Sequence, residues 1–140
     1  MSASYFLDTN IFVYSLDRTA AAKSKIASEL IRDAITNRRG VVSYQVVQEF
    51  FNVALRRFTP PMSFPDAERY LSAVFRPLLA VHSSPALYLQ ALRFHEEHTL
   101  SWNDALIVAA AIEAKCSVLF SEDLQNGRRF GALQIKNPFL

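Results

Sequence analysis

The sequence predicts an α/β protein in which a central parallel sheet of about four to five strands is flanked by helices on both faces. Short apolar runs alternate with longer amphipathic segments along the chain, which is the order typical of β-α-β units. The run Val118–Phe120 is continuously apolar, as expected for a parallel strand that is covered on both sides. At 140 residues the chain has the size of one domain, and we expect that domain to span residues 1–140.

Four short apolar runs, each bounded by turn residues or by a helical pattern, predict the main strands. A further short run near the end of the chain is a candidate fifth strand. In chain order, the five segments are Tyr5–Leu7, Val41–Ser43, Leu78–Val81, Ser117–Phe120 and Leu133–Ile135.

The segments between these strands carry apolar residues at spacings of three and four, which predicts amphipathic helices. Ser43, Ser63, Ser84 and Ser101 stand where helix N-caps are expected, and Ser101 has a carboxylate three residues later, the spacing of a capping box. With their capping residues, the predicted helices cover about residues 11–16, 20–36, 43–58, 63–75, 84–98 and 101–115.

The composition is that of an ordinary globular protein. Hydrophobic residues make up 51% of the chain and charged residues 20%, which excludes a disordered chain. The net charge of +2 is too small to indicate nucleic-acid binding by itself. The single cysteine, Cys116, excludes an internal disulfide. The longest wholly apolar run, Ala105–Ile112, is far shorter than the ~20 residues of a membrane span, and we expect a cytoplasmic protein.

Four acidic residues occupy positions that one edge of the predicted sheet would bring together. Asp8 and Asp123 each follow an apolar strand, Glu49 lies two turns into a helix, and Asp104 lies in the first turn of another helix. In a doubly wound sheet, the carboxyl ends of the strands and the starts of the following helices lie on one side. We therefore expect the four carboxylates to converge.

Converging carboxylates repel each other, by about 4 kcal/mol for a pair at ~4 Å and an effective dielectric near 20. A shared proton or a bound divalent cation relieves this repulsion. Oxygen ligands without a neighbouring Cys or His favour Mg²⁺ or Mn²⁺, and such ions activate water for the hydrolysis of phosphodiesters. Each acid taken singly also fits an ordinary role as a helix cap, a turn residue or a surface charge.

Four stretches of the chain, taken together and in order, resemble the four motifs of the PIN-domain nucleases. They are Asp8-Thr9-Asn10, Glu49, Asp104–Ala111 and Leu119–Leu124. The first stretch alone is a weak signal, whereas the ordered set with D-A-L-I and S-E-D is specific. In length and layout the chain is similar to the VapC toxins of type II toxin–antitoxin systems, and the ending Gly131–Phe139 is similar to that of a bacterial VapC subgroup.

The resemblance implies that Asp8, Glu49, Asp104 and Asp123 are the catalytic residues and bind Mg²⁺, with Mn²⁺ as a substitute. Asp8 would be the central ligand, and Asp104 and Asp123 would complete the site, partly through water. Glu49 would bind a second ion or orient the attacking water.

The resemblance also implies roles for neighbouring residues and for partners. Thr9, Asn10 and Ser121 match polar positions that hold the ligand oxygens in place. VapC-like proteins are ribonucleases and usually homodimers, and each is neutralised by a VapB-like antitoxin whose C-terminal segment lies across the catalytic groove. We therefore expect an RNA substrate, an antitoxin partner and a homodimer.

Two arginine pairs, Arg56-Arg57 and Arg128-Arg129, are candidate contacts to RNA phosphates, although each pair also fits a solvated helix end or loop. Three other functions remain open. The first is a PIN nuclease of RNA maturation or turnover that has no antitoxin. The second is a phosphomonoesterase with Asp8 as nucleophile, although the second acid usual in that chemistry is replaced by Asn10. The third is a non-catalytic module that binds RNA or protein.

Overall fold

A computed structural model describes residues 5–140, which build a six-stranded sheet in the order β3-β2-β1-β4-β6-β5. Neighbouring strands pair in parallel, except that β5 is antiparallel to β6. The strands are β1 (Tyr5–Leu7), β2 (Gly40–Ser43), β3 (Leu79–Val81), β4 (Val118–Phe120), β5 (Arg129–Phe130) and β6 (Leu133–Lys136). The predicted α/β fold class is confirmed. The sheet gains a strand over the prediction because β5 is only two residues long and has no apolar run of its own.

The helices connect these strands as crossovers. They are α1 (Thr9–Ser15), α2 (Ala21–Thr36), α3 (Tyr44–Ala54), α4 (Phe64–Tyr70), α5 (Arg76–Leu78), α6 (Pro85–His98) and α7 (Trp102–Glu113), with a π-helical turn (Leu71–Phe75) between α4 and α5. The chain steps from β1 to β2 to β3 in one direction and then returns across the sheet to β4. Because such crossovers are right-handed, α1 to α5 cover one face of the sheet, and α6 and α7 cover the other.

Serine caps begin three of the helices as the sequence predicts. The hydroxyls of Ser63, Ser84 and Ser101 each accept a hydrogen bond from the backbone N–H three residues later. Ser43 differs, because it stands at the N-cap position of α3 but its side chain makes no cap hydrogen bond. The Ser43 hydroxyl is buried and has no hydrogen-bond partner among residues 5–140.

Helix α3 ends at Ala54, earlier than the predicted end near Phe58. The N–H groups of Arg56 and Arg57 both donate to the carbonyl of Val53, so the chain tightens into a turn. The carbonyl of Ala54 accepts from the N–H of Met62, which turns the chain back toward the helix. The apolar pattern continues past Ala54, but these backbone bonds end the helix there.

An aromatic cluster joins the helices on the α1–α5 face. Phe50 is fully buried, stacks on Tyr70 at 4.6 Å between ring centroids, and meets Phe75 edge-on at 5.2 Å. Phe12 of α1 lies 4.9 Å from Phe75. On the other face, α7 is buried continuously from Ala105 to Ala111, in agreement with its apolar sequence. Within the described chain, no helix combines the length and the apolarity that crossing a membrane requires.

Candidate active site

Asp8 lies directly after β1, at the carboxyl edge of the sheet. Its backbone N–H donates to the carbonyl of Phe120 in β4, which fixes the residue between two adjacent strands. Its Oδ1 accepts the N–H of Thr9 at 2.7 Å, and its Oδ2 accepts the hydroxyl of Ser121 at 2.8 Å. Only 6% of Asp8 is exposed. The carboxylate is therefore held in one orientation at the base of the site.

Ser121 connects Asp8 to the turn that follows β4. The residue is fully buried, and its hydroxyl donates to Asp8 while accepting from the N–H groups of Asp123 and Leu124 at 3.2 and 3.3 Å. The amide of Asn10 donates to Asp123 Oδ2 at 3.0 Å. Ser121 and Asn10 thus hold the backbone and the carboxylate of Asp123 by hydrogen bonds.

Glu49 faces Asp8 from α3 and is half-buried. The hydroxyl of Thr9 donates to Glu49 Oε1 at 2.7 Å, and the amide of Gln45 reaches Glu49 Oε2 at 3.3 Å. The Gln45 amide also donates to the carbonyl of Asn103, which links α3 to the start of α7. Gln45 is buried. The sequence analysis did not single it out, although a glutamine one helical turn before Glu49 is a readable signal.

Asp104 completes the group from α7. The Ser101 hydroxyl accepts a hydrogen bond from the backbone N–H of Asp104, which fixes the first turn of the helix. All four predicted acids line one pocket of about 380 Å³. The other residues that line it are Thr9, Asn10, Asn52, Val53, Ser101, Asn103 and Ile107. Four distant segments of the chain therefore bring their carboxylates to one place, as the spacing of strands and helices predicted.

The electrostatics of the pocket disfavour its own negative charge. Burial raises the pKa of Asp8 to about 7, and the charges of Asp123 and Glu49 add to that effect, against the hydrogen bonds from Ser121 and Thr9. Burial also raises the pKa of Asp123, helped by the nearby charge of Asp104. A bound cation would offset both shifts, because it stabilises the charged form of the carboxylates.

The donor set fits a hard divalent cation that keeps part of its water shell. The four acids supply carboxylate oxygens as possible ligands, and no His or Cys lines the pocket. Across residues 5–140, no three Asp, Glu, His or Cys side chains lie close enough together to hold a metal ion by themselves. A cation in this pocket would therefore need water molecules among its ligands, as Mg²⁺ commonly has in proteins.

The four arginines that the sequence singled out divide into two groups. The guanidinium of Arg56 lies 3.5 Å from the side-chain oxygen of Asn52, which lines the acidic pocket. Arg57 lines an adjoining depression that shares Val53 with this pocket. Arg128 donates to the carbonyl of His98 and covers the ring of Phe130. Arg129 lines a depression beside Cys116. Neither Arg128 nor Arg129 lines the acidic pocket.

Comparison with known proteins agrees with this arrangement. Residues 5–129 match the family model of the PIN domain. None of the curated proteins compared with the chain matches it significantly.

Three solved structures share the fold over nearly the whole chain. The first, a toxin–antitoxin complex from Klebsiella pneumoniae, has a TM-score of 0.67 at 16% identity and covers 96% of this chain and 98% of its own. FitAcB from Neisseria gonorrhoeae has a TM-score of 0.65 at 20% identity and covers 96% and 98%. VapC20 from Mycobacterium tuberculosis, described as a toxin that cleaves the sarcin-ricin loop, has a TM-score of 0.61 at 19% identity and covers 86% and 90%.

At these identities the structural likeness establishes the fold, and the family match covers most of the sequence. The chain belongs to the PIN-domain family, a family of nucleases.

Proposed function

We propose that this protein is a Mg²⁺-dependent endoribonuclease that acts in the cytoplasm as the toxin of a toxin–antitoxin pair. The observation that carries the proposal is the convergence of Asp8, Glu49, Asp104 and Asp123 on one pocket, with Asp8 buried at its base. Burial and neighbouring charges raise the pKa of Asp8 and Asp123. A bound cation would stabilise both carboxylates in their charged form. Membership of the PIN family supports phosphodiester hydrolysis as the reaction.

A divalent cation, when bound, supplies an activated water and offsets the charge that develops on the phosphate. Asp8, Asp104 and Asp123 are the residues that would hold it. Asp8 offers fixed oxygens because Thr9 and Ser121 already bind them. Asn10 holds the carboxylate of Asp123 in the same way.

Glu49 has a different surrounding and a different proposed task. Thr9 donates to one of its oxygens and Gln45 to the other, so that the carboxylate stays in place at the wall of the pocket. In this position it can orient the attacking water or take its proton, or it can hold a second ion. The choice between these tasks turns on whether Glu49→Gln loses metal affinity as well as turnover.

RNA contacts are proposed for Arg56 and Arg57. Both side chains are exposed, and they follow the helix whose Asn52 and Val53 line the pocket. A strand that places its phosphate among the four acids would reach this side of α3. No RNA contact is proposed for Arg128 or Arg129, because neither lines the acidic pocket, and Arg128 is held by the carbonyl of His98 and the ring of Phe130.

The toxin role and the partners are supported by the kind of proteins that share the fold. Toxin–antitoxin complexes from Klebsiella pneumoniae, nontypeable Haemophilus influenzae and Rickettsia felis are among them. We propose a VapB-like antitoxin as partner and a homodimer as the assembly. Helices α6 and α7 carry an exposed apolar strip formed by Tyr88, Leu89, Leu92 and Trp102. This strip offers a surface for contact between the two copies of the chain in the proposed homodimer.

The test of the chemistry uses purified wild-type protein and Asp8→Asn with labelled structured RNA. We expect cleavage by the wild type in Mg²⁺ or Mn²⁺, none in EDTA, and none by the variant in either metal. Full activity of Asp8→Asn, or of the wild type in EDTA, would contradict the proposed site. Release of inorganic phosphate from a phosphate monoester, with a phospho-aspartate formed at Asp8, would indicate the phosphomonoesterase instead.

The test of the biological role is expression in cells. A toxin arrests growth, and co-expression of the small protein encoded beside it restores growth. If RNA is cleaved in vitro but expression leaves growth unchanged and no such neighbour binds the protein, the chain is a nuclease of RNA maturation or turnover.

A further inference from the structure

We propose that Glu122 is a positioning residue for Asp123, because it fastens the turn after β4 to helices α1 and α2. This inference rests on the proposed function, in which Asp123 is a metal ligand. Glu122 does not line the acidic pocket, and it lies within the S-E-D stretch beside Asp123. Its effect on the site would therefore pass through the backbone of the turn.

Both oxygens of Glu122 are bound by partners from separate helices. The hydroxyl of Tyr14 in α1 donates to Oε1 at 2.8 Å, and the Lys23 ammonium in α2 donates to Oε2 at 2.8 Å. Tyr14 and Lys23 also contact each other at 3.4 Å. The side chains of Glu122 and Lys23 are 26% and 40% exposed, so the ion pair is partly sheltered from water.

The end of the chain covers this cluster. The ring of Phe139 meets the ring of Tyr14 edge-on at 5.1 Å between centroids. The Lys23 nitrogen lies 4.7 Å from the Tyr14 centroid and 5.5 Å from the Phe139 centroid, so both rings face the cation. Four side chains from α1, α2, the turn after β4 and the C-terminal segment thus fix one another. We call Tyr14, Lys23, Glu122 and Phe139 the Glu122 clamp.

Asp123 needs such support because it is the most exposed of the four acids. Its own contacts are one amide bond from Asn10 and one backbone bond to Ser121. Ser121 anchors the turn on the buried side, next to Asp8. Glu122 anchors it on the side of α1 and α2. Without the clamp, the turn keeps the bonds of Ser121 and Asn10 but loses its tie to Tyr14 and Lys23, so Asp123 can move away from the position that completes the site.

A competing explanation is that Glu122 acts only through its negative charge near the cation. The two explanations predict opposite results for Lys23→Met. Removing a positive charge near the pocket tightens cation binding if charge alone matters, whereas releasing Glu122 weakens binding if the clamp positions Asp123. Tyr14→Phe changes no charge, so it has an effect only through position.

The experiment measures Mn²⁺ binding to the full-length protein by the loss of the free-ion signal in electron paramagnetic resonance. We expect Tyr14→Phe and Lys23→Met each to weaken binding severalfold, and Glu122→Gln by about tenfold, the lower end of the range for residues that position metal ligands. RNA cleavage should need correspondingly more Mg²⁺ for half-maximal rate, while the rate at saturating Mg²⁺ falls less. Circular dichroism checks that each variant is folded.

Tyr5→Phe is the matched control. Tyr5 also donates its hydroxyl to a carboxylate, that of Asp33, and Arg39 lies 3.9 Å from the same carboxylate. This trio lies at the opposite end of β1 from Asp8, so the same chemical change there should leave Mn²⁺ binding at the wild-type value. A weakening as large as that of Tyr14→Phe would overturn the inference, because the effect would then be general.

The remaining outcomes separate this inference from the proposed function. Wild-type protein that neither binds Mn²⁺ nor cleaves RNA refutes the proposed function, and the clamp with it. Wild-type protein that binds Mn²⁺, together with unchanged binding by Tyr14→Phe and tighter binding by Lys23→Met, refutes only the clamp.

Discussion

Replacing Asp8 with asparagine should stabilise the metal-free protein, although it should abolish function. Burial, with the charges of Asp123 and Glu49, raises the pKa of Asp8 from 3.8 to about 7. A difference of about three units corresponds to roughly 4 kcal/mol that the folded chain must supply to ionise this carboxyl. Asparagine has nearly the same shape and no charge, so it removes that cost.

The pH dependence follows from the direction of the shift. The folded chain holds the proton of Asp8 up to a higher pH than the unfolded chain does. Ionisation of the unfolded state alone therefore lowers the free energy of unfolding as pH rises from about 4 to about 7. Above this window the whole cost is present. Without metal, the ionisation of Asp8 should thus make the wild type less stable near neutral pH than in mild acid.

The expected gain is smaller than the full cost because one hydrogen bond is lost. The asparagine oxygen can accept from Thr9 or from Ser121, but its amide cannot accept from the other. A lost bond of this kind costs about 1–2 kcal/mol. We therefore expect Asp8→Asn to raise the free energy of unfolding in EDTA by roughly 2–3 kcal/mol near pH 8, and to flatten its fall with pH.

Urea unfolding followed by circular dichroism, in EDTA and across this pH range, provides the measurement. Asp66→Asn is the control, because Asp66 is an exposed acid on α4 that pairs with Arg69 on the surface. This change leaves Asp8 in place, so the fall in stability with pH should remain. Equal or lower stability of Asp8→Asn near pH 8, with the wild-type fall still present, would refute the argument from burial. Adding Mg²⁺ should stabilise the wild type but not the variant.

Three other predictions concern the core, the lone thiol and the RNA contacts. Phe50→Ala should lower the free energy of unfolding by about 3–5 kcal/mol in urea titrations, because Phe50 is fully buried among aromatic rings. Burial raises the pKa of the Cys116 thiol to about 12, so a thiol reagent near pH 8 should label Cys116 only in denaturant; rapid labelling of folded protein would contradict this. Replacing both Arg56 and Arg57 with Gln should weaken RNA binding and make its salt dependence shallower by about 1.4 in log–log slope, as measured by fluorescence anisotropy, whereas Arg129→Gln should do neither.

Local sequence patterns predicted where two of the four acids lie in the fold. The apolar run before Asp8 placed it at a strand end, and the serine cap at Ser101 placed Asp104 in a first helical turn. Because the carboxyl ends of parallel strands lie at the same edge of a sheet, the sequence also predicted that the four acids converge, although no contact between them was known.

Contacts between distant segments lay beyond the local pattern. Asn10 and Asp123 are 113 residues apart, and they meet only because β4 lies beside β1. Gln45 bonds the carbonyl of Asn103 because α7 begins beside α3, which no spacing within either helix shows. The arginine pairs also look alike in sequence, and only the fold shows that Arg56 contacts Asn52 at the pocket whereas Arg128 contacts His98.

The crossover that returns from β3 to β4 sets the order in which the site can be assembled during synthesis. Asp8 leaves the ribosome more than a hundred residues before β4, Ser121 and Asp123. Until then β1 has no β4 beside it, and the carboxylate of Asp8 lacks the hydroxyl of Ser121 as a hydrogen-bond donor. A growing chain therefore carries three of the acids without a completed site. If the proposed nuclease activity is correct, the topology itself delays that activity until β4 and Asp123 have been made, which protects the messenger and ribosome that produce the protein.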